Sequence, residues 1–196
     1  MHKFTAAELE RFLRAVDAHL AGRERIVVLG GGALALAYDS DYRTQDIDLW
    51  TAPSVALLRA CGEARQETGL DVPLGRAGVS DIPYNAEDRL VPVVRGLRHL
   101  EVLVFDEYDV ALSKVIRGLE KDYDAIERMH RKHPLDYDVL LRRYVEEMDH
   151  VTGSLRVLDQ HFINLVDTLY GEAAADRARL ALPARDLPKH VRRYRD

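Results

Sequence analysis

The sequence contains a single cysteine, Cys61, in 196 residues. One cysteine excludes an internal disulfide, and it excludes the cysteine-rich frameworks of structural zinc sites and of small secreted domains. Aromatic residues are scarce at 7% of the chain, and no apolar run reaches the roughly 20 residues that cross a bilayer. We therefore expect a cytoplasmic protein without membrane segments.

The sequence also lacks an excess of positive charge. It has 28 Lys plus Arg against 33 Asp plus Glu, which gives a formal net charge of -5. Such a chain is not a general binder of polyanions, so contact with nucleic acid needs a local basic patch. Hydrophobic residues make up 47% of the chain, which is enough for a packed core and argues against disorder.

Sequence patterns predict a mixed first part and a helical second part. Strands are predicted at 26–29, 46–50, 90–95 and 99–105, and helices at 5–22, 33–38 and 54–69. The stretch 71–88 is rich in Pro and Gly and is interpreted as irregular. Further helices are predicted at 109–132, 136–149 and 154–170, before a basic tail from Leu187. The prediction is an α+β fold, with a small mixed sheet in a domain at 1–108 and a helical subdomain at 109–196.

Two aspartates carry the strongest functional signal. Asp46 and Asp48 lie two residues apart on a predicted strand, so both side chains project from one face, while Ile47 and Leu49 point to the other. Carboxylates this close repel each other unless a cation neutralises them. Mg²⁺ or Mn²⁺, bound by one or two carboxylates and by substrate phosphates, would provide that cation.

Three consecutive glycines, Gly30 to Gly32, separate the preceding strand from a short helix. Glycine lets backbone N–H groups approach a phosphate closely, and the start of the helix adds a favourable dipole. With the two aspartates, this turn predicts a site for phosphoryl or nucleotidyl transfer. Gly30-x-Gly32-x-x-Ala35 also fits a dinucleotide-binding pattern, but the further strand–helix units of a doubly wound fold are missing from the sequence.

The combination of Gly31-Gly32 with Asp46-Ile47-Asp48-Leu49 resembles the nucleotidyltransferase superfamily with the polymerase-β-type fold. The resemblance implies a metal-dependent enzyme that takes an NMP from a nucleoside triphosphate. It assigns Asp46 and Asp48 as metal ligands and Gly31 and Gly32 as the residues that hold the nucleotide phosphates.

A second motif resembles a narrower branch of that superfamily. Arg43-Thr44 before the aspartates, together with Lys114 and Lys121-Asp122 after them, is similar to the bacterial nucleotidyltransferase toxins of abortive-infection and toxin–antitoxin systems. The resemblance implies an acceptor hydroxyl on RNA, tRNA or protein, and an antitoxin protein as a partner. It assigns Lys114 and Asp122 as catalytic residues, and Arg43, Thr44 and Lys121 as substrate-binding residues.

Enzymes of the superfamily usually have a third acidic residue on a later central strand. Glu101 is the candidate for this catalytic, metal-binding position, because the apolar residues around it predict a strand that is buried on both faces. Asp106, at the end of the same strand, is the alternative. Glu101 could also be a surface residue of an edge strand.

Two other interpretations of the sequence stay open. Gly32 or Ala33 stands where the superfamily has a hydroxyl residue after the second glycine of the turn, which is compatible with a catalytically silent relative that binds nucleotide or a partner. Lys114, Arg117 and Lys121 have helical spacing and predict one basic stripe. That stripe is either a solvated face or, with the arginines of the tail, part of an RNA-binding module.

Overall fold

The computed structural model describes residues 2–78 and 81–182. These residues form two compact units, one made of 2–78 with 87–106 and the other of 81–86 with 107–182. Within the described ranges, every helix is too short or too polar to span a bilayer. The predicted basic tail from Leu187 lies outside the described residues.

The first unit is built on a five-stranded mixed sheet with the strand order β3-β2-β1-β5-β4. The central β1 is parallel to β5 and antiparallel to β2, while β2 is parallel to β3 and β4 is antiparallel to β5. The strands are β1 Glu24–Val28, β2 Ile47–Leu49, β3 Leu74–Arg76, β4 Val91–Val93 and β5 Leu100–Val104. This mixed sheet with its helices confirms the predicted α+β fold and the predicted hairpin.

Two long helices of the first unit begin where side chains cap them. Helix α1, Ala6–His19, starts with a reciprocal capping box, in which Glu8 N donates to Thr5 Oγ1 at 3.2 Å and Thr5 N donates to Glu8 Oε2 at 2.8 Å. Helix α3, Val55–Thr68, starts at Ser54, whose hydroxyl accepts from Leu57 N at 3.0 Å. The two helices pack against each other.

The stretch 71–88 is more ordered than predicted. It contains β3, whose Leu74 lies opposite Ile47 of β2, and most of a 3₁₀ turn at Ala86–Arg89. A strand of three residues with a central glycine shows no hydrophobic alternation, so only its pairing with β2 defines it. The prediction of an irregular segment is wrong at β3 for this reason.

The second unit is helical, as predicted, but its first helix is divided. Gly118 has a φ of +58°, and a Cβ at this residue would overlap the imidazole ring of His161. The predicted continuous helix over 109–132 is therefore wrong, since the chain breaks where glycine permits the left-handed conformation. The helices are α4 Glu107–Val115, α5 Glu120–Lys132, α6 Tyr137–Glu147, α7 Leu155–Tyr170 and α8 Glu172–Ala181.

Asp17 of α1 fixes the start of β5. Its carboxylate accepts hydrogen bonds from the backbone N–H groups of Arg98, His99 and Leu100 at 2.7 to 3.0 Å, and the residue is 8% exposed. Burial alone would raise the pKa of Asp17, but the three amide donors outweigh it and hold that pKa below its ordinary value of 3.8. The ionised carboxylate is thus part of the folded structure.

We expect Asp17→Ala to lower the free energy of unfolding of the first unit by about 3 kcal/mol, because three amides lose their acceptor. Since the folded pKa is lowered, the stabilisation by the carboxylate is present above the ordinary pKa and is lost as the pH falls through the folded value. Urea unfolding followed by the fluorescence of Trp50, the one tryptophan of the chain, measures the effect. An equal difference from wild type at about pH 7 and about pH 3 would contradict this linkage.

Candidate active site

The three glycines form the first turn of a helix rather than a loop before it. Helix α2, Gly30–Ala33, begins directly after β1 and continues as a π-helical turn at Leu34–Tyr38. The first N–H groups of a helix have no partner within the helix. Leu29, which precedes α2, makes no side-chain hydrogen bond to cap them. Backbone donors are thus available to an anion at the end of β1.

Asp48 points at this turn. In the β1–β2 pair, Val28 lies opposite Leu49, and Leu29 N donates to Asp48 O at 2.8 Å. A Cβ on Gly30 would lie 3.1 Å from Asp48 Oδ2, and Gly30 has a φ of +58°. A side chain at Gly30 would therefore be strained and would crowd the carboxylate. The family resemblance assigned only Gly31 and Gly32 to the phosphates, whereas Gly30 is the glycine of this turn that lies against the Asp48 carboxylate.

Asp46 approaches the same turn through Thr44. The buried Thr44 hydroxyl lies 3.3 Å from Asp46 O and 3.4 Å from Asp46 Oδ1. A Cβ on Gly31 would lie 2.5 Å from this hydroxyl, so the threonine packs against the bare glycine backbone. Thr44 thus connects Asp46 to the turn, whereas the side chain of Arg43 is exposed.

The donor atoms of these residues suit a hard divalent cation. Asp46 and Asp48 offer carboxylate oxygens, and Mg²⁺ or Mn²⁺ is commonly bound by one or two carboxylates together with substrate phosphates. Over residues 2–78 and 81–182, no three or more His, Cys, Asp or Glu side chains are grouped so that they could hold a metal ion. A cation at this site would therefore take its remaining ligands from phosphates and water.

Glu101, the predicted third acid, lies at the other end of the sheet. Glu101 pairs in register with Arg25 of β1. Arg25 is four residues before Leu29, the residue opposite Asp48, so Glu101 and Asp48 are separated by about 13 Å along the strand direction. The side chain of Glu101 is 60% exposed, and its Oε2 lies 3.4 Å from Arg25 Nε. The expectation of a buried carboxylate at Glu101 is wrong, because the residue stands at the solvent-exposed start of β5 in a surface ion pair.

The position on β5 that is level with Asp48 is occupied by Phe105. The parallel register pairs Val28 with Val104, so the next residues, Leu29 and Phe105, are neighbours, and Leu29 lies opposite Asp48. Residues at the same level of adjacent strands point to the same face. The chain therefore has a buried aromatic ring at the position of β5 that is level with Asp48, with β1 between the two strands.

Asp106, the alternative third acid, follows Phe105 directly. Its side chain is 14% exposed, and its Oδ2 lies 3.9 Å from Arg89 Nε. By register, Asp106 is at the same end of β1 as the glycine turn, which Glu101 is not. Of the two candidates, the sheet thus places Asp106 nearer to the aspartate pair.

Trp50 is a candidate site residue that was not predicted from the sequence. Alternation along β2 puts Trp50 on the same face as Asp48, and its ring meets that of Phe105 edge to face at 5.8 Å. Its indole Nε1 donates to Glu87 Oε1 at 2.8 Å. The sequence could have indicated this, because residues 46, 48 and 50 are spaced by two, and a strand with that period places all three side chains on one face. Trp50 and Phe105 thus form an aromatic pair on the face of the sheet that carries Asp48.

Lys114, Asp122 and Arg117 form a charged cluster within the second unit. Lys114 Nζ lies 3.7 Å from Asp122 Oδ1, and Arg117 donates to both oxygens of Asp122, at 2.5 and 3.1 Å. The side chains of Lys114 and Asp122 are only 6% and 3% exposed. Burial lowers the pKa of Lys114, and the neighbouring Asp122 carboxylate opposes part of that shift.

The predicted basic stripe of Lys114, Arg117 and Lys121 is not present. The helix ends before Gly118, so the three residues do not share one helical face, and Lys114 is buried beside a carboxylate. Lys121 is exposed on α5. The geometry fits a structural ion pair between Lys114 and Asp122.

Comparison with known families identifies a family that covers most of the chain. A family model described as "Nucleotidyltransferase of unknown function" (DUF6036) matches residues 7–170. That span includes the glycine turn, both aspartates and the Lys114 cluster. No curated protein and no solved structure matches the chain. The glycine turn with its paired aspartates thus occurs within a recognised family, and the chain belongs to the DUF6036 family of nucleotidyltransferases.

Proposed function

We propose that this protein is a metal-dependent enzyme that transfers an NMP from a nucleoside triphosphate to a hydroxyl of RNA or protein. The observation that carries the proposal is the approach of two carboxylates to one glycine turn. Asp48 Oδ2 lies beside Gly30, and Asp46 lies beside the Thr44 hydroxyl that packs on Gly31.

Each part of this arrangement matches one requirement of nucleotidyl transfer. The N–H groups of the glycine turn would bind phosphate oxygens, as helix starts do for anions in general. Asp46 and Asp48 would hold Mg²⁺ or Mn²⁺, which would neutralise the charge of the triphosphate. Trp50 and Phe105 would exclude water from one side of the bound nucleotide.

The proposed reaction is a displacement at the α-phosphorus. The acceptor oxygen forms a new bond to that phosphorus, and the bond from the phosphorus to the bridging oxygen of the β-phosphate breaks. Pyrophosphate leaves with the electron pair, and the hydroxyl proton passes to water. In this reaction the protein would orient the phosphates and stabilise their charge, and it would not form a covalent intermediate with the nucleotide.

The identity of the acceptor is a further part of the proposal. We propose that the protein is the toxin of a toxin–antitoxin or phage-defence pair, on the basis of the resemblance carried by Arg43-Thr44 and Lys121-Asp122. Such a role implies that an antitoxin protein relieves its effect. Growth arrest upon expression is the readout for this part.

The test is a transfer assay with each of the common nucleoside triphosphates labelled at the α-phosphate. Total RNA and a cell extract serve as acceptors, with Mg²⁺, Mn²⁺ or EDTA. We expect label to move from at least one triphosphate to RNA or protein, and we expect EDTA to abolish the transfer. Nucleotide binding without transfer under every condition would instead support the catalytically silent relative.

A further inference from the structure

A second charged site lies at the opposite end of β1 from Asp48. A cavity of about 450 Å³ opens at the beginnings of β1 and β5, beside the loop that joins β4 to β5. The charged residues of its lining are Arg23, Glu24, Arg25, Arg95, Arg98 and Glu101. Four arginines against two glutamates make this cavity positively charged, in a chain whose net charge is negative.

Three of the four arginines are available to a ligand. Arg25 is paired with Glu101 at 3.4 Å. Among the described residues, the guanidinium groups of Arg23, Arg95 and Arg98 have no carboxylate within 4.0 Å. A guanidinium group presents a planar fork of N–H donors that matches phosphate oxygens. The unpaired donors thus fit an anionic ligand.

The backbone of the loop that carries Arg95 and Arg98 is fixed by hydrogen bonds to two side chains of α1. Asp17 accepts the N–H groups at Arg98 and the next two residues, and Arg14 Nη2 donates to Arg95 O at 3.1 Å. Val94 has a φ of +53°, a conformation that β-branched residues rarely adopt. Strained backbone that is fixed by its surroundings is characteristic of ligand sites. The arginine side chains therefore extend from a preorganised backbone.

We propose that this cavity binds phosphate groups at a site separate from Asp46 and Asp48. Its volume is in the range of small-ligand sites and exceeds the needs of a single phosphate. Its described lining contains no Phe, Tyr or Trp on which a base could stack, so recognition falls to the phosphates. The ligand is either the backbone of a single-stranded nucleic acid or a free polyphosphate.

The test measures the binding of two probes separately, a fluorescent single-stranded RNA of about 20 nucleotides by anisotropy and inorganic tripolyphosphate by isothermal titration calorimetry. EDTA is present throughout, so that the proposed metal site does not contribute. Arg95→Ala with Arg98→Ala removes two cavity arginines but leaves their backbone hydrogen bonds in place. The matched control is Arg59→Ala with Arg156→Ala, which removes two exposed arginines outside the cavity and changes the net charge equally.

We expect the cavity variant to bind at least about tenfold more weakly, while the control stays within about twofold of wild type. The plot of log binding constant against log salt concentration should become less steep by about 1.4, because two phosphate contacts are lost. Tight RNA binding would identify a nucleic-acid strand as the ligand, and binding of tripolyphosphate alone would identify a free polyphosphate. Either result supports the site.

Absence of binding by both probes, or an equal loss in the two double variants, would overturn the proposal. Trp50 fluorescence in urea checks that both variants keep the stability of the first unit. Because binding is measured without divalent metal or turnover, a failure here is distinguishable from a failure of the proposed transferase activity.

Discussion

Asp48→Asn is expected to reduce nucleotide transfer by about a thousandfold or more. Asparagine preserves the shape of the side chain but removes the charge that lies beside Gly30. The change leaves the bare backbone of the glycine turn intact, so we expect the free energy of unfolding to change by less than about 1 kcal/mol. Initial rates with the labelled triphosphate at saturating Mg²⁺ measure the loss, and urea unfolding followed by Trp50 fluorescence measures the stability.

Asp71→Asn is the matched control for this substitution. Asp71 belongs to the first unit, its side chain is 91% exposed, and the change removes the same charge. We expect its transfer rate to stay within about twofold of wild type. In a growth assay, Asp48→Asn should relieve the proposed toxicity and Asp71→Asn should retain it. A wild-type rate in Asp48→Asn, or an equal loss in the control, would contradict the proposed role of Asp48.

Asp122→Ala is expected to lower the free energy of unfolding of the second unit by about 3 to 5 kcal/mol. The substitution leaves the Lys114 ammonium group buried without its carboxylate partner, at a position where burial already lowers its pKa. A buried charge without a counter-ion is far more costly than a missing surface ion pair. Far-ultraviolet circular dichroism in urea follows this helical unit, whereas Trp50 reports on the first unit.

A double variant separates a structural role of this pair from a catalytic one. Lys114→Met with Asp122→Leu removes both charges, and we expect it to recover most of the lost stability. Asp124→Ala, an exposed position on the same helix, should change the stability by less than about 0.5 kcal/mol. A stable double variant that transfers nucleotide supports a structural ion pair. A stable double variant that has lost transfer would instead support the catalytic role inferred from the sequence motif.

Local patterns in the sequence predicted the parts of the candidate site that depend on neighbouring residues. The strand period of two placed Asp46 and Asp48 on one side, and consecutive glycines predicted the turn that they approach. The capping box at Thr5 and Glu8 likewise marked the start of α1. Each of these features depends on residues within a few positions of one another.

Features that depend on register or on distant packing were not predictable in this way. Alternation indicated a strand at Glu101, but only the pairing of β5 with β1 showed that Glu101 is far from Asp48 and that Phe105 is level with it. The close approach of Gly118 to the ring of His161, which comes from another helix, was likewise not visible in local patterns. The arginine cavity, too, is formed by two segments that parallel pairing of β1 and β5 brings together.

The most direct test of the proposed function is Mn²⁺ binding in the presence of a non-hydrolysable nucleoside triphosphate. Electron paramagnetic resonance of free Mn²⁺ measures the affinity without requiring an acceptor. For the double substitution Asp46→Asn and Asp48→Asn, we expect affinity at least about tenfold below wild type, while Asp71→Asn should bind as wild type does. Undiminished Mn²⁺ binding in the double variant would contradict the claim that these two aspartates hold the cation.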